Sequence, residues 1–204
     1  SPAVSPWIRY LWGHLHERQG NTGKALEHYL SVLQDLPRDP WVHLRTGILQ
    51  EQQGEQEQAL LHYKTASDAY PDSFRILFRR SIVTMNLLQE EESIRIHQKM
   101  IELRPEHALS LNNLAWMYLT AKDRSLRQPE KALELALKSV ELEATIDHID
   151  TLAEAYFQTG QTAKAIETLR KGIREASYPK SRERYLEGQY RRFRKGDTSV
   201  SPPP

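Results

Sequence analysis

The chain of 204 residues contains no cysteine. This absence excludes a disulfide framework, a thiolate metal site and a cysteine nucleophile. Long hydrophobic runs are missing as well, and no stretch approaches the 18 or more apolar residues that a membrane-spanning helix needs. The 9 glycines and 11 prolines are few and lie apart from one another, so the composition is neither collagen-like nor of low complexity.

The sequence also lacks an excess of charge of one sign. Lys and Arg together number 28 against 27 Asp and Glu, which gives a net charge of +1. With 39% hydrophobic residues, this is the composition of a soluble folded chain and not of a disordered one. The first residue is Ser1 and not Met, so we interpret the chain as a processed or excised segment, from which any targeting signal would have been lost. The sequence leaves the compartment open between cytoplasm and periplasm.

The common signatures of catalysis are absent from the sequence. There is no glycine-rich phosphate loop, no G-x-S-x-G elbow and no H-E-x-x-H motif. The eight histidines are scattered, and His28 and His62 occupy the same position in successive repeats, which favours helix-surface residues over metal ligands. The acidic run 90–92 is typical of a solvated helix face with i,i+4 ion pairs. We therefore expect a protein without enzymatic activity, without a metal site and without a cofactor.

A period of about 34 residues is the most informative feature that is present. Several residue types recur at this distance, and agreement among independent types indicates an internal repeat. The recurring residues are Gly13 and Gly47, Gly20 and Gly54, Ala25 and Ala59, Tyr29 and Tyr63, and Pro37, Pro71 and Pro105.

The repeated small residues and prolines predict pairs of helices. Glycine or alanine at repeat positions 8 and 20 lets two helices approach closely where they cross. Glycine at position 15 suits the left-handed residue that ends a first helix, and proline near position 32 stops the second. A helix pair of this kind cannot bury its apolar faces alone, so neighbouring pairs must stack.

These residues resemble the tetratricopeptide repeat (TPR) pattern, whose marks include a small residue at repeat position 8, tyrosine at 11, alanine at 20, an aromatic residue at 24 and proline at 32. The resemblance implies an all-α, right-handed superhelical solenoid of stacked antiparallel helix pairs. It places five repeats at 6–39, 40–73, 74–107, 108–145 and 146–179. A capping helix at 180–195 would follow, with an extension at 1–5 and a disordered tail at 196–204.

Two departures from the pattern mark repeats three and four. Repeat three has Leu88 where the mid-repeat glycine is expected. Repeat four is five residues too long, and the extra residues lie in the segment 122–129 between its helices. We interpret that insert either as a lengthened turn or as a finger that contacts a partner. The second alternative follows from the observation that inserts in repeat proteins collect on one face.

The resemblance also implies a binding groove, because the first helix of each TPR lines a concave surface. Aromatic residues and arginine are enriched at interfaces, and paired asparagines such as Asn112 and Asn113 resemble those that hold a peptide backbone in the family. Of the family's carboxylate clamp only Arg75 and Arg79 are present, so a chaperone-tail receptor is not expected. The predicted lining comprises Tyr10, His14, Trp41, Arg45, Arg75, Phe78, Arg79, Asn112, Asn113, Trp116, Asp150 and Glu154.

Three functional interpretations remain open at this point. The leading one is a protein-interaction module that binds a peptide or helix of a partner, or assembles with copies of itself through Trp7, Tyr10 and Leu11 at its N-terminal edge. The second is a nucleic-acid or anionic-surface binder, which a basic patch with interleaved aromatics would support. The third is a spacer in a longer protein. The basic patch consists of Arg182, Arg184, Arg191, Arg192 and Arg194.

Overall fold

The structure is a computed structural model that describes residues 4–199. Over that range the chain is all-α, with no strand, and no helix in it has the length and apolarity to cross a lipid bilayer. The predicted class, ten repeat helices and one further C-terminal helix, is confirmed. The helices are α1 Pro6–Arg18, α2 Thr22–Asp35, α3 Pro40–Gln52, α4 Gln56–Ala69, α5 Phe74–Asn86, α6 Glu90–Leu103, α7 Ala108–Thr120, α8 Pro129–Leu142, α9 Ile146–Gln158, α10 Thr162–Glu175 and α11 Glu183–Lys195.

The odd-numbered helices of the repeats begin at the residues where the sequence places the repeat starts. At α3 the reason is local: Pro40 has no N–H to leave unsatisfied in the first turn, and its fixed φ suits a helix start. The Asp39 carboxylate accepts hydrogen bonds from the backbone N–H groups of Trp41 and Val42, both at 3.0 Å. An aspartate cap of this kind satisfies two donors that the helix cannot pair itself.

The turn between the two helices of a repeat requires a left-handed residue. Gly20, Gly54 and Gly160 have φ of 76°, 82° and 78°, as the pattern predicted. In repeat three Leu88 adopts a φ of 54° at the same place. The backbone bond that closes the turn is kept there, since Gln89 N–H donates to Thr84 C=O at 2.9 Å. The turn geometry is therefore preserved without glycine, at the cost of strain at Leu88.

The chain divides into two compact units, Ser1–Ile96 and His97–Pro204. In the N-terminal unit, the helix crossings of repeats one and two depend on a glycine against a tyrosine ring. A Cβ on Gly47 would lie 2.7 Å from Tyr63 Cε1, and one on Gly13 would lie 2.7 Å from Tyr29 Cε1. The close approach predicted at these glycines is present, and the ring that fills the space above each glycine is a tyrosine of the second helix.

The C-terminal unit has a core in which α11 completes the packing of repeat five. Leu186 and Phe193 from α11 are buried together with Phe157 and Leu169. A short 3₁₀ turn, Lys180–Arg182, precedes α11, so the capping helix begins at Glu183, later than expected. Of the predicted tail, residues 200–204 lie outside the described range, as do residues 1–3 of the predicted extension.

The insert of repeat four is tied back to the C-terminal end of α7. Arg127 Nε donates to Ala121 C=O at 2.7 Å, and the Gln128 N–H donates to Tyr118 C=O at 3.0 Å. Within the insert, Asp123 Oδ1 accepts from the N–H and the hydroxyl of Ser125. Between the two expectations, these bonds favour a lengthened turn over a projecting finger.

Candidate protein-binding surfaces

In the N-terminal unit, three predicted groove residues offer surface to a partner. Trp41 on α3 is 47% exposed, with its ring 5.4 Å from that of Tyr70. Phe78 on α5 is half-buried and lies nearly parallel to Phe74, with ring centroids 6.5 Å apart. Arg75 is exposed one turn before Arg79 and forms no ion pair with a described residue. These side chains combine apolar area with an available positive charge.

Arg45 is held by the preceding repeat. Its guanidinium lies 3.1 Å from Glu17 Oε1, and the other oxygen of Glu17 accepts from the Tyr29 hydroxyl at 2.7 Å. Burial of the phenol and the hydrogen bond to Glu17 raise the pKa of Tyr29 far above its ordinary value. Arg45 thus links repeats one and two through a carboxylate that a buried tyrosine orients.

The same arrangement recurs one period later. The Tyr63 hydroxyl donates to Glu51 at 2.6 Å, and Arg79 lies 3.6 Å from the other oxygen of that carboxylate. The Arg79 side chain is 39% exposed, whereas that of Arg45 is 28% exposed. Arg79 is the more loosely held of the two and remains accessible. The sequence placed both arginines in the groove but did not reveal the link that they form between repeats.

Tyr10 and His14 of α1 are partly engaged within repeat one. The Tyr10 ring lies 5.5 Å from Tyr29 and 6.1 Å from Trp7. His14 Nδ1 is 3.8 Å from Glu17. Tyr10 therefore packs toward the core of the repeat, and the expectation that it belongs to an open N-terminal edge is corrected.

A histidine pair inside the N-terminal unit was missed by the sequence analysis. His43 and His62 face each other with their Nδ1 atoms 2.7 Å apart, and His43 Nε2 lies 3.0 Å from Pro37 C=O. Since that carbonyl only accepts, His43 Nε2 donates to it, and one proton is shared between the Nδ1 atoms. Burial and the neighbouring His43 lower the pKa of His62 to about 4. The interpretation of His62 as a surface residue is wrong.

This histidine pair does not form a metal centre. Among residues 4–199, no group of three or more His, Asp or Glu side chains is arranged to hold an ion. The other periodic histidine, His28, stacks on His16 with ring centroids 5.4 Å apart. Both pairs serve packing between the two helices of a repeat.

In the C-terminal unit, α7 presents an amide and an indole side by side. Asn113 and Trp116 are half-buried, and Asn113 Nδ2 lies 3.4 Å from His97 Nε2. Asn112 is only 7% exposed, and its Oδ1 is buried without a hydrogen-bond partner among the described residues. Asn113 rather than Asn112 therefore has the amide that a partner can reach.

The predicted acidic end of the groove is covered by α11. Asp150 and Glu154 are 4% and 0% exposed. The Tyr185 hydroxyl donates to Asp150 Oδ2 at 2.8 Å, and the Arg192 guanidinium donates to Glu154. Burial raises the pKa of Asp150 to about 7. Assigning these two carboxylates to an open groove was wrong, because they bind side chains of α11, a helix that lies beyond repeat five in the sequence.

The basic patch is smaller than the sequence suggested. Arg192 is buried against Glu154, and Arg182 forms an ion pair with Asp147. Arg191 pairs with Glu187 at 2.9 Å on the surface of α11. Arg184 and Arg194 are exposed, with Arg194 over the Tyr190 ring at 6.0 Å. Two of the five arginines therefore hold α11 in place.

Two stretches of the chain match family models described as tetratricopeptide repeat, residues 10–74 and residues 150–177. Between and beyond them, the alternation of paired helices runs from α1 to α10, and α11 follows as a single helix. A search of curated proteins found no significant match.

Solved structures with the same fold include a crystal structure of MamA protein, with a TM-score of 0.70 and 17% identity over 97% of this chain and 98% of that one. MamA 41-end from Desulfovibrio magneticus RS-1 matches with a TM-score of 0.70, 18% identity and coverages of 85% and 96%. TTC0263, a thermophilic TPR protein in Thermus thermophilus, matches with a TM-score of 0.55, 18% identity and coverages of 94% and 100%.

Repeats of this type stack into helical solenoids that serve as scaffolds for contacts between proteins, and they are generally not enzymes. At these identities the solved structures establish the fold, and the two family matches establish the kind of repeat. The chain is a tetratricopeptide-repeat protein.

Proposed function

We propose that this protein is a non-enzymatic interaction module that binds an acidic peptide segment on the first-helix face of its N-terminal unit. The observation that carries the proposal is Arg75, which is exposed on α5 without an ion-pair partner among residues 4–199. One turn further on, Arg79 keeps 39% of its side chain exposed despite its contact with Glu51. Two guanidinium groups on one helix face suit carboxylates, which they bind with directed N–H donors.

Apolar anchoring would come from the aromatic residues beside these arginines. Trp41 is half-exposed, and Phe78 lies on the same helix as Arg75. Large aromatic side chains contribute a major share of binding energy at interfaces. We therefore expect a peptide that carries at least one apolar side chain next to its acidic residues.

A separate surface on α7 would bind a peptide backbone by itself. The Asn113 amide can donate to a C=O and accept from an N–H, so it binds a backbone without reading its sequence. Trp116, one turn away, offers an apolar face. This surface belongs to the C-terminal unit, and its contribution is separable by mutation.

Selection from a random peptide library displayed on phage tests the proposal. We expect the selected peptides to be enriched in Asp and Glu beside an aromatic or aliphatic residue. Arg75→Glu should weaken a selected synthetic peptide by about tenfold or more, because it replaces attraction by repulsion. Arg79→Ala should weaken the same peptide while helicity stays unchanged, and Asn113→Ala, measured by itself, tests the separate surface on α7.

The matched control is Arg170→Glu, which makes the same charge change at an exposed position of α10. We expect it to alter the affinity by no more than about twofold, through long-range charge alone. A library without acidic enrichment, or equal losses for Arg75→Glu and Arg170→Glu, would refute the acidic-peptide proposal.

Nucleic-acid binding through α11 has less support than it had from sequence. A groove that follows a phosphate backbone needs a continuous row of available cations. Arg182 and Arg192 are instead engaged with Asp147 and Glu154. We therefore retain only the peptide-binding proposal.

A further inference from the structure

The first helix carries an apolar stripe that the described residues leave largely uncovered. At about 100° per residue, its five side chains fall within an arc of about 140° on α1. We call this set the α1 stripe, and its exposed fractions run from 44% to 64%. The α1 stripe consists of Trp7, Ile8, Leu11, Trp12 and Leu15.

Repeat two shows how the same positions look when they are covered. Val42, Thr46 and Leu49 stand one repeat period after three members of the α1 stripe and are 2%, 0% and 1% exposed. Val42 and Leu49 pack in one cluster with Ala25, Tyr29 and Val32 of the preceding repeat. The corresponding members of the α1 stripe, Ile8, Trp12 and Leu15, are 45%, 44% and 52% exposed.

Ile8, Trp12 and Leu15 therefore form a repeat-stacking face that lacks its counterpart, whereas Trp7 and Leu11 extend the α1 stripe at the positions that Trp41 and Arg45 occupy in repeat two. Its apolar area is contiguous, unlike the single exposed apolar side chains that are normal on protein surfaces. It corresponds to the face of α3 that contacts α2 inside the N-terminal unit. Burying it requires another apolar helix face.

Of the charged residues of α1, Arg9 and Glu17 are engaged within the chain, whereas Arg18 is exposed at the C-terminal end of the α1 stripe. Arg9 is paired with Asp35 and donates to Ser31 Oγ at 2.7 Å. Glu17 is engaged by Tyr29 and Arg45. A second identical stripe could approach without bringing an unpaired guanidinium of Arg9 or an unpaired carboxylate of Glu17 into the contact.

We propose that the occupant of the α1 stripe is a second copy of this chain, with the two α1 helices antiparallel about a twofold axis. In that arrangement Leu11 lies near the axis, and Trp7 faces the partner's Leu15. An apolar stripe is complementary to itself, as a twofold contact requires. Five large side chains from each copy bury on the order of 1,000 Å² in total, which reaches the lower end of specific interfaces.

The absence of cysteine from the sequence allows a direct test. Leu11→Cys introduces a single thiol near the proposed axis, where two Cα atoms can approach within disulfide range. Leu61→Cys is the matched control, since Leu61 on α4 is 65% exposed and lies outside the α1 stripe. Under mild oxidation Leu11→Cys should form a disulfide dimer rapidly and Leu61→Cys should stay largely monomeric.

Light scattering on the unmodified chain provides the second readout. We expect a concentration-dependent species with twice the mass of the 23.7-kDa chain. Ile8→Glu with Leu15→Glu should raise the dissociation constant by about 100-fold or more, because each carboxylate would be buried unpaired. Circular dichroism should show unchanged helicity, since both positions are exposed in one copy.

If light scattering shows a monomer at high concentration, the proposal is overturned, and the occupant of the α1 stripe is a different chain. Equal cross-linking of the two cysteine variants also overturns it. So does a dimer that persists in the Ile8→Glu, Leu15→Glu variant. None of these outcomes bears on peptide binding at Arg75, which is measured separately.

Discussion

The first and last described helices differ in the polarity of the face that they expose. In the N-terminal unit, α1 leaves Leu11 61% exposed and offers no covering element among residues 4–199. In the C-terminal unit, α11 buries Leu186 and Phe193 and turns Arg184 and Arg194 outward. A terminal repeat needs a polar outer face to remain separate from other molecules, and only α11 provides one.

The two ends also differ in how polar groups are used. At the C-terminal end, Glu154 and Arg192 meet where the carboxylate is 0% exposed, and Asp150 is nearly as deeply buried. At the N-terminal end, Arg9 meets an Asp35 side chain that is 52% exposed. A buried charge pair is a poor source of net stability but is costly to break. We therefore expect a broken ion pair to cost more stability at the cap than at α1.

The strongest test of this contrast places the same substitution at both ends. Leu186→Glu should lower the free energy of unfolding by about 5 kcal/mol or more, because a carboxylate would enter an apolar core. Leu11→Glu, measured at high dilution, should change it by no more than about 0.5 kcal/mol. Urea denaturation followed by circular dichroism measures both. Similar losses in the free energy of unfolding at the two positions would contradict the difference between α1 and α11.

A second comparison breaks one ion pair at each end. Arg192→Ala should cost about 3–5 kcal/mol, since it leaves Glu154 buried without its counter-charge. Arg9→Ala should cost about 1 kcal/mol, because Asp35 is then free to be solvated. The double change Glu154→Leu with Arg192→Leu should recover most of the loss, as it removes both charges. If Arg192→Ala proves as mild as Arg9→Ala in the same denaturation experiment, the buried pair does not secure the cap.

The smallest expected effect concerns the pH dependence of the capped end. Burial raises the pKa of Asp150 to about 7 from its ordinary value of 3.8. Because the folded state holds this proton more tightly than the unfolded state, Asp150 lowers stability progressively as the pH rises from about 4 to about 7. Asp150→Asn can still accept from Tyr185 and removes that dependence, so it should stabilise the protein by about 2–4 kcal/mol at pH 8.

Thermal melts of Asp150→Asn and the unchanged protein across pH 4–8 measure this effect. His62 acts in the opposite direction in the N-terminal unit, since its lowered pKa costs stability as the pH falls below about 6.5. Asp150→Asn does not change the stability that is lost at low pH through His62. The contributions of the two groups can therefore be measured separately. A difference between the two proteins that stays constant over this pH range would contradict the assignment to Asp150.

The sequence predicted those parts of the fold that depend on local rules. The repeat period and glycines such as Gly54 located helix starts and left-handed turns, because each acts within a few residues of itself. At the corresponding position of repeat three, Leu88 replaces the expected glycine. The turn still forms, because the Gln89 N–H donates to the Thr84 C=O. The repeat period therefore located a turn in which the residue that local chemistry prefers is absent.

The sequence could not predict which groove positions would be open. Asp150 and Glu154 occupy positions that face a groove in the family, yet Tyr185 and Arg192 reach them from α11. His43 and His62 likewise meet across two helices. Such contacts depend on how side chains far apart in sequence are brought together, and no spacing within one repeat encodes them. Trp41 and Arg75 are accessible as expected, and their role in binding stays a prediction.

The recurring tyrosine–glutamate–arginine contacts would couple the proposed peptide binding to the packing of neighbouring repeats. A carboxylate that binds Arg79 competes with Glu51 for the same guanidinium, which lies 3.6 Å away. Occupancy of that site therefore loosens the link between repeats two and three, and by reciprocity a stiffer link weakens the ligand. Arg75 forms no ion pair between repeats, so a peptide bound there alone would leave the link between repeats two and three unchanged.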